Sequence, residues 1–218
     1  MSKKSEGTVT CDVCASLDCR SRYPKGVPAY CLATRERQVL EETKLEYSKP
    51  ENLPIYVAAG RMISRGYATY PRVQEAIEFS RELKIKKVGF ASCIGLIREL
   101  ALLSELFRGA GFEVVGANCQ VGRVPPSERF PDVKEGDITH MWCNPIAQAE
   151  ILNKEGSELN FIVGLCLGHD MLFTRYSKAP VSTLIVKDRV LGHNPAAALY
   201  ASPVRNNLAK AYCGRDNL

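Results

Sequence analysis

"KKVGFASCIGLIRELALLSELFRGAGFEVVGANC", from Lys86 to Cys119, holds one full cycle of a fold. Its opening, "KKVGFAS", is a short apolar run of the kind that makes a strand buried on both faces. Leu96, Leu100, Leu103 and Phe107 then return at helical spacing, and the turn from Gly109 to Gly111 ends that helix. "FEVVGAN" begins a second strand. Two strands joined through a helix run parallel, because the helix carries the chain back to the level at which the first strand began.

The same alternation continues outward. Downstream, "PIAQAEILNKE" reads as a helix, "NFIVGLCL" as a strand, "HDMLFTRYS" as a short helix, "STLIVKD" as a strand and "NPAAALYAS" as a closing helix. Upstream, Ile55, Ala58, Ala59, Met62 and Ile63, and after Pro71 the set Val73, Ala76, Ile77 and Leu83, predict two helices that lead in. The pattern predicts an α/β domain over residues 51–218, a three-layer parallel sheet with helices on both faces. Residues 1–50 carry no apolar periodicity and cannot build a core alone, so they are expected to form a separate cysteine-rich, metal-binding module.

Strands of a parallel sheet all finish on one edge, where ligands bind. Cys93 follows the first strand, Cys119 ends the second and Cys166 ends the third. Cys143 stands before Asn-Pro in "MWCNPIAQAE", and "LGHNPAAALY" repeats the arrangement with His193 in its place. Asn is a favoured N-cap and Pro a favoured first helical residue, which puts the thiol or imidazole just outside a helix N-terminus. The field there favours a thiolate and a neutral imidazole. Cys93, Cys119, Cys143 and Cys166, with His169 of "GLCLGHD" and His193, form a candidate second site, for redox chemistry, an iron-sulfur cluster of the 4Fe–4S type or another metal. The competing reading is packing, since cysteine also behaves as a small buried hydrophobe. Cys213, in the polar tail, reads as a lone thiol.

Nine cysteines crowd unevenly, with Cys11, Cys14, Cys19 and Cys31 near the start. Four soft ligands on a short polar segment suit a tetrahedral zinc ion, whose binding energy then serves as folding energy. A 4Fe–4S cluster is the alternative, although the spacing matches neither ferredoxin pattern. The first residues lack the apolar core of a signal peptide, and no apolar run is long enough to span a bilayer. A cytoplasmic location is therefore expected, with no membrane partner, and in a reducing compartment thiols and metal ligands are favoured over disulfides.

The formal charge of +5 is a mild surplus, too small to argue for nucleic acid by itself. There is no G-x-G-x-x-G fingerprint, Walker A loop, nucleophile elbow or H-E-x-x-H pair, so nucleotide and hydrolase chemistry have no specific support. Cys93 and Arg98 resemble a phosphate loop one residue too short. The segment Gln120 to His140, rich in proline and charge, is expected to act as a mobile lid.

Taken together, the N-terminal Cys-x2-Cys cluster, "GFASCIGLIRE", "GANC", "CNPIAQAEILN", "GLCLGHD" and "VKDRVLGHNPAAALY" resemble a family of uncharacterised bacterial and archaeal proteins described as metal-binding. The resemblance covers nearly the whole chain and implies a metal site at Cys11, Cys14, Cys19 and Cys31, with no established reaction. The expectation is a metal-binding protein with a second, cysteine-rich site on the sheet rim for redox or metal/sulfur handling. The alternative is a non-enzymatic zinc-ribbon-like adaptor, in which Arg20, Arg22, Tyr23, Lys25 and Tyr30 would meet a protein or nucleic-acid partner.

Overall fold

The computed structural model describes residues 11–14, 19, 27–28, 30–123, 128, 132 and 143–216. The chain divides into two compact units, Met1–Arg61 and Met62–Leu218.

In the first unit, Cys11–Val13 form one 3-10 turn, followed by helices α1 (Leu32–Arg35) and α2 (Arg37–Glu46) and the start of α3 (Leu53–Gly66). Nothing in the residue pattern predicts α2. It buries no residue and is held by local pairs such as Lys44 with Glu41 and Gln38 with Glu42, so it has no apolar stripe to read. The expected four-cysteine module falls in large part outside the described residues.

The second unit is an α/β fold around a parallel sheet that has four strands among the described residues: β1 (Lys87–Ser92), β2 (Glu113–Asn118), β3 (Leu159–Val163) and β4 (Val181–Ile185). Their order is β2-β1-β3-β4, and every neighbouring pair is parallel. Helix α4 (Arg72–Glu82) leads in, α5 (Ile97–Gly109) joins β1 to β2, α6 (Pro145–Lys154) precedes β3 and α7 (His169–Tyr176) comes after it.

Alternate residues of β1 meet different helices. Phe90 packs edge-on against Phe107 of α5 and stacks on Phe161 of β3, contacts worth about 0.5–1.5 kcal/mol each beyond their buried area. Gly89 lies under α6 and β3, where an added Cβ would come 2.0 Å from Asn160 Oδ1 and 2.9 Å from Leu152. Glycine is needed there so that Asn160, fully buried, can reach across and donate from Nδ2 to Ser177 Oγ at 2.8 Å. Gln148 of α6, also fully buried, donates from Nε2 to the carbonyls of Ser92 (3.0 Å) and Ala117 (2.7 Å), tying the helix to the ends of β1 and β2.

The strand order places a switch point between β1 and β3. The chain leaves β1 toward β2 on one side and returns to β3 on the other, so the loops after β1 and β3 part and leave a crevice. A register shift opposite Ile162 and Val163 adds one residue to β4 and displaces the chain beyond it.

Two expectations about helix starts come out differently. Asn144 does cap α6, accepting the Ala147 N–H at 3.2 Å, with Pro145 in the first turn. The second Asn-Pro does not start a helix: α8 begins at Ala197 and ends at Tyr200, and Asn194 and Pro195 lie in the turn before it. A further helix, α9 (Ser202–Cys213), occupies the polar tail, where the sequence pattern predicts no element. The expected lid, Gln120 to His140, lies mostly outside the described residues. Among the described residues, no helix is long and apolar enough to cross a membrane.

Candidate functional site

The site grows from the ends of the central strands. The Cys93 N–H donates to Val163 O at 3.1 Å and the Cys119 N–H to Ser92 O at 2.8 Å, so each cysteine extends the ladder by one residue. Continuing the register that pairs Ser92 with Asn118 makes Cys93 and Cys119 neighbours on adjacent strands. Both are buried, with 7% and 1% of their surfaces exposed.

The chain turns sharply after Cys93, and the backbone of this turn points at sulfur. Gly95 N–H donates to Cys93 Sγ and Ile94 N–H to Cys119 Sγ, each at 3.4 Å. Asn144 N–H bonds Cys119 O at 2.6 Å, which fixes the entry to α6 beside the end of β2. Cys143, half-buried, is thereby held with its Sγ 3.5 Å from Cys119 Sγ.

From the far edge of the sheet, Lys187 reaches in beyond the end of β4. Its ammonium donates to Cys93 Sγ and lies 3.8 Å from Cys166 Sγ. Arg189, exposed, places Nη2 3.3 Å from the same Cys166 sulfur. Neither cation was singled out in the sequence, although a lysine two residues past the strand "STLI" sits where a rim residue should, and the displaced register of β4 helps aim it.

These contacts separate the acidities of two adjacent thiols. A hydrogen bond from the Cys119 thiol, opposed by burial and reinforced by Lys187 and the Gly95 N–H, brings the Cys93 pKa down to about 4. Cys119 moves the other way, well above the ordinary thiol range, because the neighbouring Cys93 takes the negative charge and burial disfavours a second one. At neutral pH the pair therefore shares one charge, carried on Cys93.

His169 begins α7 beside this centre. Burial pushes its pKa down, partly countered by the Cys93 thiolate, and its Nδ1 is buried without a hydrogen-bond partner among the described residues. His193 is drawn elsewhere: its Nδ1 accepts the Asp188 N–H at 3.1 Å while its own N–H donates to Asp188 O at 2.8 Å, with φ at +65°. It braces the loop that carries Lys187 and Arg189.

The N-terminal cysteines lie in the first unit. Cys11 and Cys14 share one turn, closed by the Cys14 N–H to Cys11 O bond at 3.3 Å, Cys19 is exposed, and Cys31 precedes α1. Among the described residues no group of three or more His, Cys, Asp or Glu side chains is disposed to hold a metal ion.

Residues 31–184 match the model of a family described as proteins of unknown function, DUF1847. The chain belongs to the DUF1847 family. It is also similar to the uncharacterised protein MJ0455 of Methanocaldococcus jannaschii, with 43% identity over 166 residues that make up 76% of this chain and 85% of that protein. The span matched by the DUF1847 model contains Cys31, all four rim cysteines and His169. Cys11, Cys14, Cys19, Lys187, Arg189 and His193 lie outside it.

Proposed function

We propose that this DUF1847 protein is a thiol enzyme of redox or sulfur-handling type, with Cys93 as the nucleophile that attacks an electrophilic sulfur. The observation that carries this reading is the convergence of the Lys187 ammonium and the Gly95 N–H on the Cys93 sulfur at the switch point, with Cys119 beside it on the next strand. Both donors stabilise the thiolate, the reactive form of cysteine. Cys119 is the resolving thiol. Adjacent strands lie ~4.8 Å apart, inside the ~4.4–6.8 Å over which two Cα atoms can be bridged by a disulfide. Attack of Cys93 on a disulfide gives a mixed disulfide and one departing thiolate. Attack of Cys119 on Cys93 Sγ then closes the internal disulfide and releases the second, which takes up the Cys119 proton.

The thiolate absorbance in the ultraviolet tests this, read as the difference between wild type and Cys93→Ser across pH. One thiolate assigned to Cys93, with a midpoint near 4, is expected. A midpoint near that of an ordinary thiol overturns the reading. Stoichiometric metal in the wild type that is lost in Cys143→Ser replaces it with a metal centre, for which the 3.5 Å approach of Cys119 and Cys143 is the favourable observation. What supports thiol chemistry over metal is Lys187, whose positive charge stands against Cys93 and near Cys166, where a bound cation would have to sit.

For the first unit we infer a structural metal, zinc in preference to a 4Fe–4S cluster, held by Cys11, Cys14, Cys19 and Cys31. Support comes from the Cys11–Cys14 turn, which brings two of the four onto one bend of backbone. The metal would supply folding energy to a segment without a core. Loss of metal from Cys14→Ser tests it, and retention of wild-type metal in the quadruple serine variant overturns it.

A further inference from the structure

Resting on the reading of Cys93 as nucleophile, we propose that the rim accepts a small anionic sulfane-sulfur donor of the thiosulfate class, whose outer sulfur passes to Cys93.

Three features select this class. The first is access. Cys93, which follows β1 at the switch point, is only 7% exposed, and so narrow an access admits a small inorganic donor more readily than a bulky peptide disulfide. The second is charge. Lys187 and Arg189 both face the rim sulfurs, whereas Asp188 between them and Asp170 in the first turn of α7 have carboxylates turned to their own backbone. Asp170 Oδ1 accepts the N–H groups of Gly168 and Met171 at 3.0 and 2.8 Å, and Asp188 Oδ1 those of Val190 and Leu191 at 2.9 and 2.8 Å. A thiolate attacking a dianion brings negative charges together, and two cations at the meeting point offset that repulsion. The third is the product. A persulfide on Cys93 keeps its negative charge, and its terminal sulfur can be taken over by the donors that already hold the thiolate, the Gly95 N–H and the Lys187 ammonium.

The step balances without an outside oxidant or reductant. The Cys93 thiolate bonds to the outer sulfur of thiosulfate, the sulfur-sulfur bond of thiosulfate breaks, and its electron pair leaves with sulfite. One monoanion and one dianion enter, and one persulfide monoanion and one sulfite dianion emerge.

The test uses the reduced full-length protein and thiosulfate, with sulfite release and the mass of the Cys93 peptide as readouts. One equivalent of sulfite, a Cys93 peptide heavier by one sulfur atom and neither change in Cys93→Ser are expected. Lys187→Met should slow sulfite release by about tenfold or more, and Arg189→Gln, at an exposed position where the fold tolerates change, by about threefold to tenfold at low salt. The effect of Arg189→Gln should shrink as salt is raised. No sulfite from a protein whose Cys93 thiolate absorbance is intact overturns the donor class and leaves the thiolate centre standing. Sulfite release unchanged in both Lys187→Met and Arg189→Gln overturns the charge selection. An ordinary titration of Cys93 overturns this proposal together with the reading beneath it.

Discussion

Four cysteines at the start of the chain and four at the rim of the sheet are chemically identical residues in opposite circumstances. Cys11, Cys14, Cys19 and Cys31 are close in sequence; Cys11 and Cys14 share one turn, Cys31 precedes one short helix and Cys19 is exposed. Cys93, Cys119, Cys143 and Cys166 are spread over more than seventy residues, yet Cys119 meets Cys143 directly, Cys93 stands beside Cys119 on the next strand, and Cys166 shares the Lys187 ammonium with Cys93. The sheet explains the second case. Once β1 and β2 pair in register, the residues after them must be neighbours, with no ligand required to bring them together. Sequence proximity suggests a site that needs something bound to take shape, whereas ladder geometry makes one in advance, with thiols already made unequal.

The largest expected effect comes from dismantling that inequality. In Cys119→Ala the main hydrogen bond to the Cys93 thiolate is gone, and in Lys187→Met the ammonium is gone. Each should raise the midpoint of Cys93 thiolate formation by about one to three pH units, with Cys119→Ala the larger. Equal midpoints in wild type and both variants would mean that the contacts around this sulfur do not set its acidity.

The same inequality ties stability to pH. An unfolded chain has its cysteine thiol near ~8.5, whereas folded Cys93 titrates at about 4. The thiolate's contribution to stability is thus fully present above the unfolded value and lost as pH falls toward 4. The stability difference between wild type and Cys93→Ser, from denaturant midpoints, should therefore be greater at pH 8 than at pH 5. A difference independent of pH would place the role of Cys93 in packing.

Much of this was legible in the sequence, and for a physical reason. Apolar runs such as "VGFAS" and "NFIVG" must be buried strands, and helices between strands force a parallel sheet with one rim. That logic locates the cysteine-bearing strand ends. Strand order was not legible, because nothing in local patterning says that β3 pairs with β1 rather than β2. Lys187 and Arg189 were missed for a related reason: they follow the edge strand, and only the assembled order shows that their loop reaches the central cysteines. His193 misled because "HNP" copies the letters of "CNP", while the second stretch places its Asn-Pro in a turn, after a histidine at positive φ, instead of at a helix cap.

Two substitutions that bear on the strand ends, one just beyond β3 and one on α6, should have intermediate effects. Gly164, just beyond β3, has φ of +63°, and an added Cβ would come 2.6 Å from Leu96 Cδ2. Gly164→Ala should cost about 1–3 kcal/mol of stability, with displacement of the Cys93 turn visible as a change in its thiolate midpoint. Gln148→Leu removes the amide that binds Ser92 O and Ala117 O and should cost about 1–2 kcal/mol. Loss of stability with the Cys93 midpoint unchanged would show that the ladder alone aligns the two thiols.

The smallest effect is expected at Cys213, and it completes the comparison. This cysteine is neither in the early cluster nor on the rim: it ends α9, is exposed, and precedes Gly214, whose φ of +63° closes the helix in the left-handed form usual at that position. Exposed and with no partner sulfur among the described residues, Cys213→Ser should change stability by less than about 0.5 kcal/mol. Metal content and the Cys93 midpoint should stay at their wild-type values. The variant also removes an exposed thiol that would otherwise compete in alkylation and sulfur-transfer measurements, so those experiments should become cleaner in its background. If the Cys93 signal instead falls with Cys213→Ser, the tail cysteine takes part in the thiol chemistry and the rim is not a self-contained centre.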